Sequence, residues 1–497
     1  MTVVCFCQLN NIWGNILIEE IVNSLNSIIW SKPLIALCLG AGIWFSVRTK
    51  FLQLRYFKHM ISLLFKTDTS SSGISSFQAL SISLSGRVGT GNIAGVATAI
   101  AIGGPGAVFW MWVVAFFGAS TAFIEATLAQ IYKEKDETGM YRGGPAFYID
   151  KAMNNKPYAI LFALSTILAV GFCLPGIQAN SIAVSVENAW GLSRTHMGLV
   201  LVFLISVIIF GGVRRIAKFT QVMVPFMALG YLVLALIIIG FNVSELPEVF
   251  TLIISSAFSI HAGFGAIVGS AIEMGVKRGI YSNEAGQGTA PHAAAAAEVS
   301  HPVKQGLVQA FSVYIDTLLV CTATALMILL TGFYNVGSAD GAMIYTGLSG
   351  VEAGPGYVQS VFETIIPGFG AILLAIALFF FAFTTILAYY YIAETNIVYL
   401  SKYFNWSGIG VVLKVLLLIS VLFGSVKSAE LAWAMGDVGV GLMAWLNIIA
   451  ILILQKPALS AFKNYENQYS EGDVTEFVAE DSSIDGTDFW KSKDKAL

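Results

Sequence analysis

Eleven apolar stretches constrain this chain more than any other feature, each near the roughly 20 residues a helix needs to cross a bilayer. They cover residues 28–47, 77–102, 107–132, 158–186, 197–213, 219–242, 250–276, 308–332, 368–397, 408–426 and 431–455. In hydrocarbon the backbone must satisfy its own hydrogen bonds, so such stretches read as helices and the chain as an all-α integral membrane protein. Composition agrees. Only 11% of the 497 residues are charged, against about 25% in soluble domains. That excludes a soluble enzyme on a single anchor. A net charge of −3 gives no reason to expect a nucleic-acid partner. The five cysteines show no zinc-ligand spacing, and Cys38, Cys173 and Cys321 lie in apolar stretches where they read as small packing residues. The N-terminus lacks a basic region with a small-residue cleavage site, so no cleaved signal peptide is expected.

Lysine and arginine set an orientation. The stretch at 28–47 is taken as a preceding span and the others as spans 1 to 10. Arg48, Lys50, Arg55, Lys58 and Lys66 precede span 1, and Lys133, Lys135, Arg142, Lys151 and Lys156 follow span 2. Arg214, Arg215 and Lys218 follow span 4, Lys277, Arg278 and Lys304 follow span 6, and Lys402 follows span 8. The alternate loops hold only Arg194 and Lys427. The bias places the N-terminus outside and the C-terminus in the cytoplasm of a plasma (bacterial inner) membrane protein. Three regions follow: an N-terminal segment, 1–76, with one span and a basic loop; a core, 77–455; and an acidic tail, 456–497, too polar to fold alone and expected to be disordered.

Within span 1, glycines interrupt the helix pattern: Gly89-Thr-Gly91-Asn-Ile93-Ala-Gly95. Each costs about 1 kcal/mol relative to alanine in a helix interior. Such a run is either a close-packing face or a break whose bare N–H and C=O groups meet a ligand. Span 6 repeats the pattern as Gly263-Phe-Gly265-Ala-Ile267-Val-Gly269. Five spans apart, the two run in opposite directions, as in an inverted-topology repeat with repeats at about 77–242 and 250–455. In such transporters paired broken helices mark the substrate site. A dinucleotide fingerprint needs a preceding strand and a later acid; here the following residues are Phe109-Trp-Met-Trp-Val113, which excludes it.

The chain resembles the alanine/glycine:cation symporters, or sodium:alanine symporters, of the APC-type, LeuT-like superfamily. The residues carrying this are Gly89 to Val96, Gly103-Gly-Pro-Gly-Ala-Val-Phe-Trp-Met-Trp112, Lys277-Arg-Gly-Ile-Tyr-Ser-Asn-Glu-Ala-Gly286 with Thr-Ala-Pro-His292, Asp316-Thr-Leu-Leu-Val-Cys321 and Phe383-Thr-Thr-Ile-Leu387. The resemblance, from about residue 75 to 455, implies a 5+5 inverted repeat with one extra N-terminal helix, core helices 1 and 6 broken, and Na⁺- or H⁺-driven uptake of small neutral amino acids.

A zwitterion's carboxylate needs donors, which amides after a helix break supply without a formal charge. Thr90, Gly91 and Asn92 would lie there. By resemblance, Gln178 donates to the same carboxylate; its alternative is a helix–helix hydrogen bond. Gly263, Phe264 and Ile267, with Thr385 and Tyr389 of span 8, would line the side-chain pocket. The resemblance assigns Na⁺ five neutral oxygens: the carbonyls of Ser85, Val88 and Phe381 and the hydroxyls of Thr384 and Thr385. The alternative for the threonines is back-bonding to the i−4 carbonyl. Ala388-Tyr389 stands where the family usually has Gly-Trp, which leaves serine or glutamine open as substrates. Arg87, Glu125, Glu273, Asp316, Glu394, Asp437 and His261 are ionisable groups at or within spans, where such groups are costly. Arg87 is expected to pair with one of the acids. The function expected is Na⁺ symport of alanine or glycine by a monomer, with an H⁺-coupled or exchanging carrier as the alternative, and not an enzyme.

Overall fold

The computed structural model describes residues 19–64, 73–211, 213–258, 264, 267–337, 342–404, 408–472 and 476–491. The chain is predominantly helical. Helices α1 (Glu19–Ile29) and α2 (Lys32–Arg48) form one span bent by 44°. Next come α3 (Ser76–Arg87) and α4 (Gly91–Gly103), separated by a break. Helix α5 (Gly106–Ile131) leads to a hairpin of β1 (Glu134–Lys135) and β2 (Tyr141–Arg142), then α6 (Pro145–Met153). Three helices follow: α7 (Lys156–Trp190), α8 (Arg194–Ile209) and α9 (Val213–Phe241).

The second half opens with α10 (Leu246–Ala257), α11 (Val268–Asn283) and α12 (Ala290–Ala296). After α13 (Pro302–Thr331) come β3 (Asn335–Gly337), β4 (Met343–Thr346) and α14 (Pro355–Ile365). Helices α15 (Gly370–Ser401), α16 (Ile409–Val426), α17 (Ala429–Ile453) and α18 (Gln455–Glu471) complete the chain. Among the described residues seven helices are long and apolar enough to cross a membrane, or eight with the bent pair. Phe203, Phe226, Leu236 and Val412 are 66%, 70%, 65% and 64% exposed, as residues facing lipid would be.

Small residues let the helices approach closely. A Cβ on Gly106 would lie 2.7 Å from the Ala257 nitrogen, and one on Gly176 would lie 3.5 Å from the Gly424 Cα. Two expectations are corrected by this packing. Span 6, predicted over 250–276, is not one helix. α10 stops at Ala257 against the start of α5, and a separate helix, α11, begins at Val268. The hydropathy span ends at 276, inside α11, because Lys277 and Arg278 follow there. Lys277 and Arg278, expected in a basic inner loop, instead pair with Asp437 at 2.9 and 2.7 Å near the start of α17, the end away from the tail.

The tail is the second correction. Residues 455–471 are helical, with Ala458, Ala461, Phe462 and Tyr465 buried against α5 and the start of α13. Beyond it Phe477, Ala479, Ile484 and Trp490 are also buried. The Phe477 amide donates to the Ser300 carbonyl at 2.9 Å and the Trp490 indole to the Gln130 carbonyl at 2.7 Å. The Lys133 ammonium donates to the Ala297 carbonyl and sits 4.5 Å from the Tyr141 and Phe489 rings and 5.1 Å from Trp490. Apolar residues spaced among the acids, docked on an existing surface, supply the burial that the tail's composition does not suggest.

Candidate functional site

The first break lies where the sequence places it. α3 ends at Arg87, and Val88 leaves the helix with ψ 84. The Asn92 side-chain carbonyl accepts from the Gly89 amide at 2.8 Å, and a wide π turn, Gly91–Gly95, starts the next half-helix. Most of Gly263–Gly269 lies outside the described residues, and the interruption that faces the first break is a different one. It is the segment between Asn283 and Ala290, where Glu284, Gly286 and Gly288 have φ values of 57, 85 and 85. Two of these three left-handed positions are glycines, which take that conformation without steric cost. Pro291 then opens α12, where its missing N–H goes unneeded. α11 runs beside α4 in the opposite direction: Ala271 lies by Gly103, and Tyr281 and Ser282 lie by Gly91.

Phe264 and Ile267 fall elsewhere. They rest against Gly104, at the far end of α4 from the first break. Gly263 and His261 lie outside the described residues. The other expected site residues converge. The Gln178 side-chain carbonyl accepts from the Thr90 amide at 3.1 Å, and its amide donates to the Tyr281 hydroxyl at 3.3 Å. The Asn92 amide donates to the Asp316 carboxylate at 2.6 Å. Ser282 donates to the same carboxylate at 2.9 Å and Thr317 at 2.7 Å. Tyr389 is buried one turn beyond Thr385. The Thr90 hydroxyl is buried with no partner among the described residues.

The Thr385 hydroxyl donates to the Ser85 carbonyl at 2.7 Å and to the Phe381 carbonyl at 2.9 Å. Four of the five expected sodium ligands therefore meet, Thr384 through its contact with the Phe381 carbonyl. Val88 is buried beside the break, while the Thr384 hydroxyl turns to the Phe380 and Phe381 carbonyls, both at 3.0 Å. A Cβ on Gly89 would fall on the Thr385 hydroxyl, so glycine here is what lets the broken helix touch α15.

Ionisable groups surround the breaks. Glu125 accepts from the Asn447 amide at 2.7 Å and the Gly286 N–H at 3.3 Å. Arg87 makes no ion pair within 4 Å among the described residues; it donates to the Gln309 carbonyl at 3.2 Å and to Ser312. Glu273 is exposed, and Glu394 lies 3.7 Å from Arg142, away from the breaks. Sequence reasoning misses Tyr281, Ser282 and Glu284 as site residues. The signal is in the Tyr-Ser-Asn-Glu-Ala-Gly-Gln-Gly run, whose glycines at 286 and 288 punctuate a helix as clearly as those at 89 and 91.

Two cavities, of 460 and 520 Å³, open at the end away from the tail, and both are lined by Trp433. The Trp433 ring packs on Tyr281 at 4.9 Å and holds the Arg278 guanidinium 4.2 Å away. It lies between the cavities and the first break, by Gly95.

A family model described as the sodium:alanine symporter family matches residues 15–479. A Bacillus subtilis chain assigned to sodium/proton-dependent alanine carriage, YrbD, is 60% identical over 95% of this chain and 98% of its own. The sodium/proton-dependent alanine carrier protein of Bacillus sp. strain PS3 is 52% identical over 87% of this chain and 97% of its own. A Bacillus subtilis chain assigned to sodium/glutamine symport, GlnT, is 43% identical over 92% of each.

Proposed function

The chain belongs to the sodium:alanine symporter family, and from that premise we propose that it couples entry of Na⁺, with H⁺ as a second ion, to uptake of alanine and glycine. It is a membrane transporter, not an enzyme. The observation that carries the site is the pair of facing breaks, buried and joined to α15 through Thr385 and Ser85. Na⁺ binds between α3 and α15 at the carbonyls of Ser85, Val88 and Phe381 and the hydroxyls of Thr384 and Thr385. Hard cations favour such oxygen sets. Binding there replaces the Thr385–Ser85 hydrogen bond and fixes the first break. The substrate carboxylate then takes the amides of Thr90, Gly91 and Asn92, displacing Gln178 as the acceptor of the Thr90 N–H. The side-chain pocket falls to Tyr281, Tyr389 and Trp433 in place of Phe264 and Ile267. Alanine and glycine suit so enclosed a space; glutamine requires Trp433 to move.

Two features support an inverted 5+5 repeat with one extra helix: the antiparallel run of α4 and α11, and the matched breaks. The eleven-span reading adds α3–α4, α8 and α11–α12 to the eight spans counted by length. In this reading the tail and the basic loops are cytoplasmic, the cavities at Trp433 open outside the plasma membrane, and a monomer carries the whole pathway. The test is uptake of labelled alanine into proteoliposomes. An inward Na⁺ gradient is expected to drive accumulation above equilibrium, enhanced by an inside-negative potential; accumulation that ignores the Na⁺ gradient would overturn the coupling.

A further inference from the structure

Around the two breaks the described residues place one guanidinium, Arg87, and three carboxylates, Glu125, Glu284 and Asp316, each no more than 1% exposed. If all were ionised, the interior would carry an excess of two negative charges. Buried charge persists only where donors or counter-charges replace water. The three acids differ sharply in that respect. Asp316 accepts from Asn92, Ser282 and Thr317. Glu125 accepts from Asn447 and the Gly286 N–H. The Glu284 carboxylate has the Thr289 side chain as a neighbouring donor, and its Oε1 has no hydrogen-bond partner among the described residues.

Glu284 also stands in a singular place. It is a non-glycine residue in the left-handed region, φ 57, at the turn that ends α11. Its Oε1 lies 3.2 Å from where a Cβ on Gly86 would be, so it bridges the two breaks. The adjacent Arg87 leaves its Nε and Nη2 without hydrogen-bond partners among the described residues, with Glu284, Glu125 and Asp316 as the acids around it. Opposite charges thus face each other across the breaks without forming an ion pair. A neutral, protonated Glu284 accounts for both observations: it needs no donors, and it leaves the guanidinium unclaimed.

We propose that Glu284 is the residue that carries the co-transported proton. This rests on the ion-coupled symport reading and adds to it the group that binds H⁺. In the closed form Glu284 holds the proton. When the breaks part and water enters, the acid releases H⁺ to water and its carboxylate pairs with Arg87. The groups facing it are Arg87 from α3, Glu125 from α5, Asp316 from α13, Tyr389 from α15 and Tyr281 from α11 itself.

The experiment follows protons and alanine together in proteoliposomes holding a pH-sensitive dye, alongside alanine-binding calorimetry in two buffers of different ionisation enthalpy. Wild type is expected to take up protons with alanine, and its uptake is expected to vary with pH. Glu284→Gln, which mimics the neutral acid, is expected to abolish the alanine-evoked proton signal, and whatever uptake remains should lose its pH dependence. Glu284→Asp, which keeps an acid in place, is expected to retain the proton signal with a displaced midpoint. A wild-type proton signal in Glu284→Gln would overturn the assignment, as would its loss in a folded Glu284→Asp. Wild type that accumulates alanine on a Na⁺ gradient yet moves no proton would overturn it while leaving Na⁺ symport intact. Wild type that transports no alanine under either gradient would instead sink the symport reading.

Discussion

At the scale of single residues the site depends on a few short contacts. Asn92 joins the Gly89 amide to Asp316, so Asn92→Ala leaves a buried N–H and a carboxylate each short of a partner. Unmet buried groups cost about 1–3 kcal/mol, so alanine affinity measured by calorimetry is expected to fall roughly tenfold or more. Thr385→Val keeps the shape and removes the hydroxyl that reaches Ser85 and Phe381. Its Na⁺ dependence of uptake is expected to shift to higher concentration, and an unchanged Na⁺ curve would argue against the ion site. Both residues are legible in the sequence, because a polar side chain in an apolar helix has few bland explanations. Glu284 is not. It lies just past the predicted span and reads there as one more acid in a polar loop.

At the scale of elements, the first break is legible in the sequence and the second is not. The reason is physical. Glycines inside an uninterrupted apolar run stand out, as they do in 77–102. α11 carries Glu273, Lys277 and Arg278, the last two paired with Asp437 on distant α17. Sequence alone does not reveal that partner, so hydropathy joins α10 to the first half of α11 as one span and stops at 276. Gly288 tests the interruption between Asn283 and Ala290. Its φ of 85 and the closeness of Phe162 and Pro145, each 2.9 Å from where a Cβ would lie, leave no room for a side chain. A left-handed non-glycine residue costs roughly 1–2 kcal/mol, and the clash adds to it. Gly288→Ala is expected to lower both uptake and melting temperature. Gly269→Ala, with open space around its Cβ, is expected to change uptake little; the opposite pattern would put the second break back at Gly263–Gly269.

At the scale of the whole molecule, the tail is a structural part of the basic end. Composition hides this, since its acids suggest disorder while Phe477, Ile484 and Trp490 are the residues that decide its fate. Truncating a buried aromatic residue typically costs about 3–5 kcal/mol. Trp490→Ala is therefore expected to free the final segment and raise its susceptibility to proteolysis, with a lower melting temperature for the detergent-solubilised protein. Near that tail the chain entering α3 and the chain leaving α12 are stitched together: the Ile74 amide donates to the Ala296 carbonyl, and the Glu298 amide to the Ile74 carbonyl, both at 3.1 Å. The two half-helices α3 and α12 are thereby geared to one another. A reporter on either one is expected to relax with the same single exponential after a substrate jump, because a main-chain stitch gives both a common reaction coordinate.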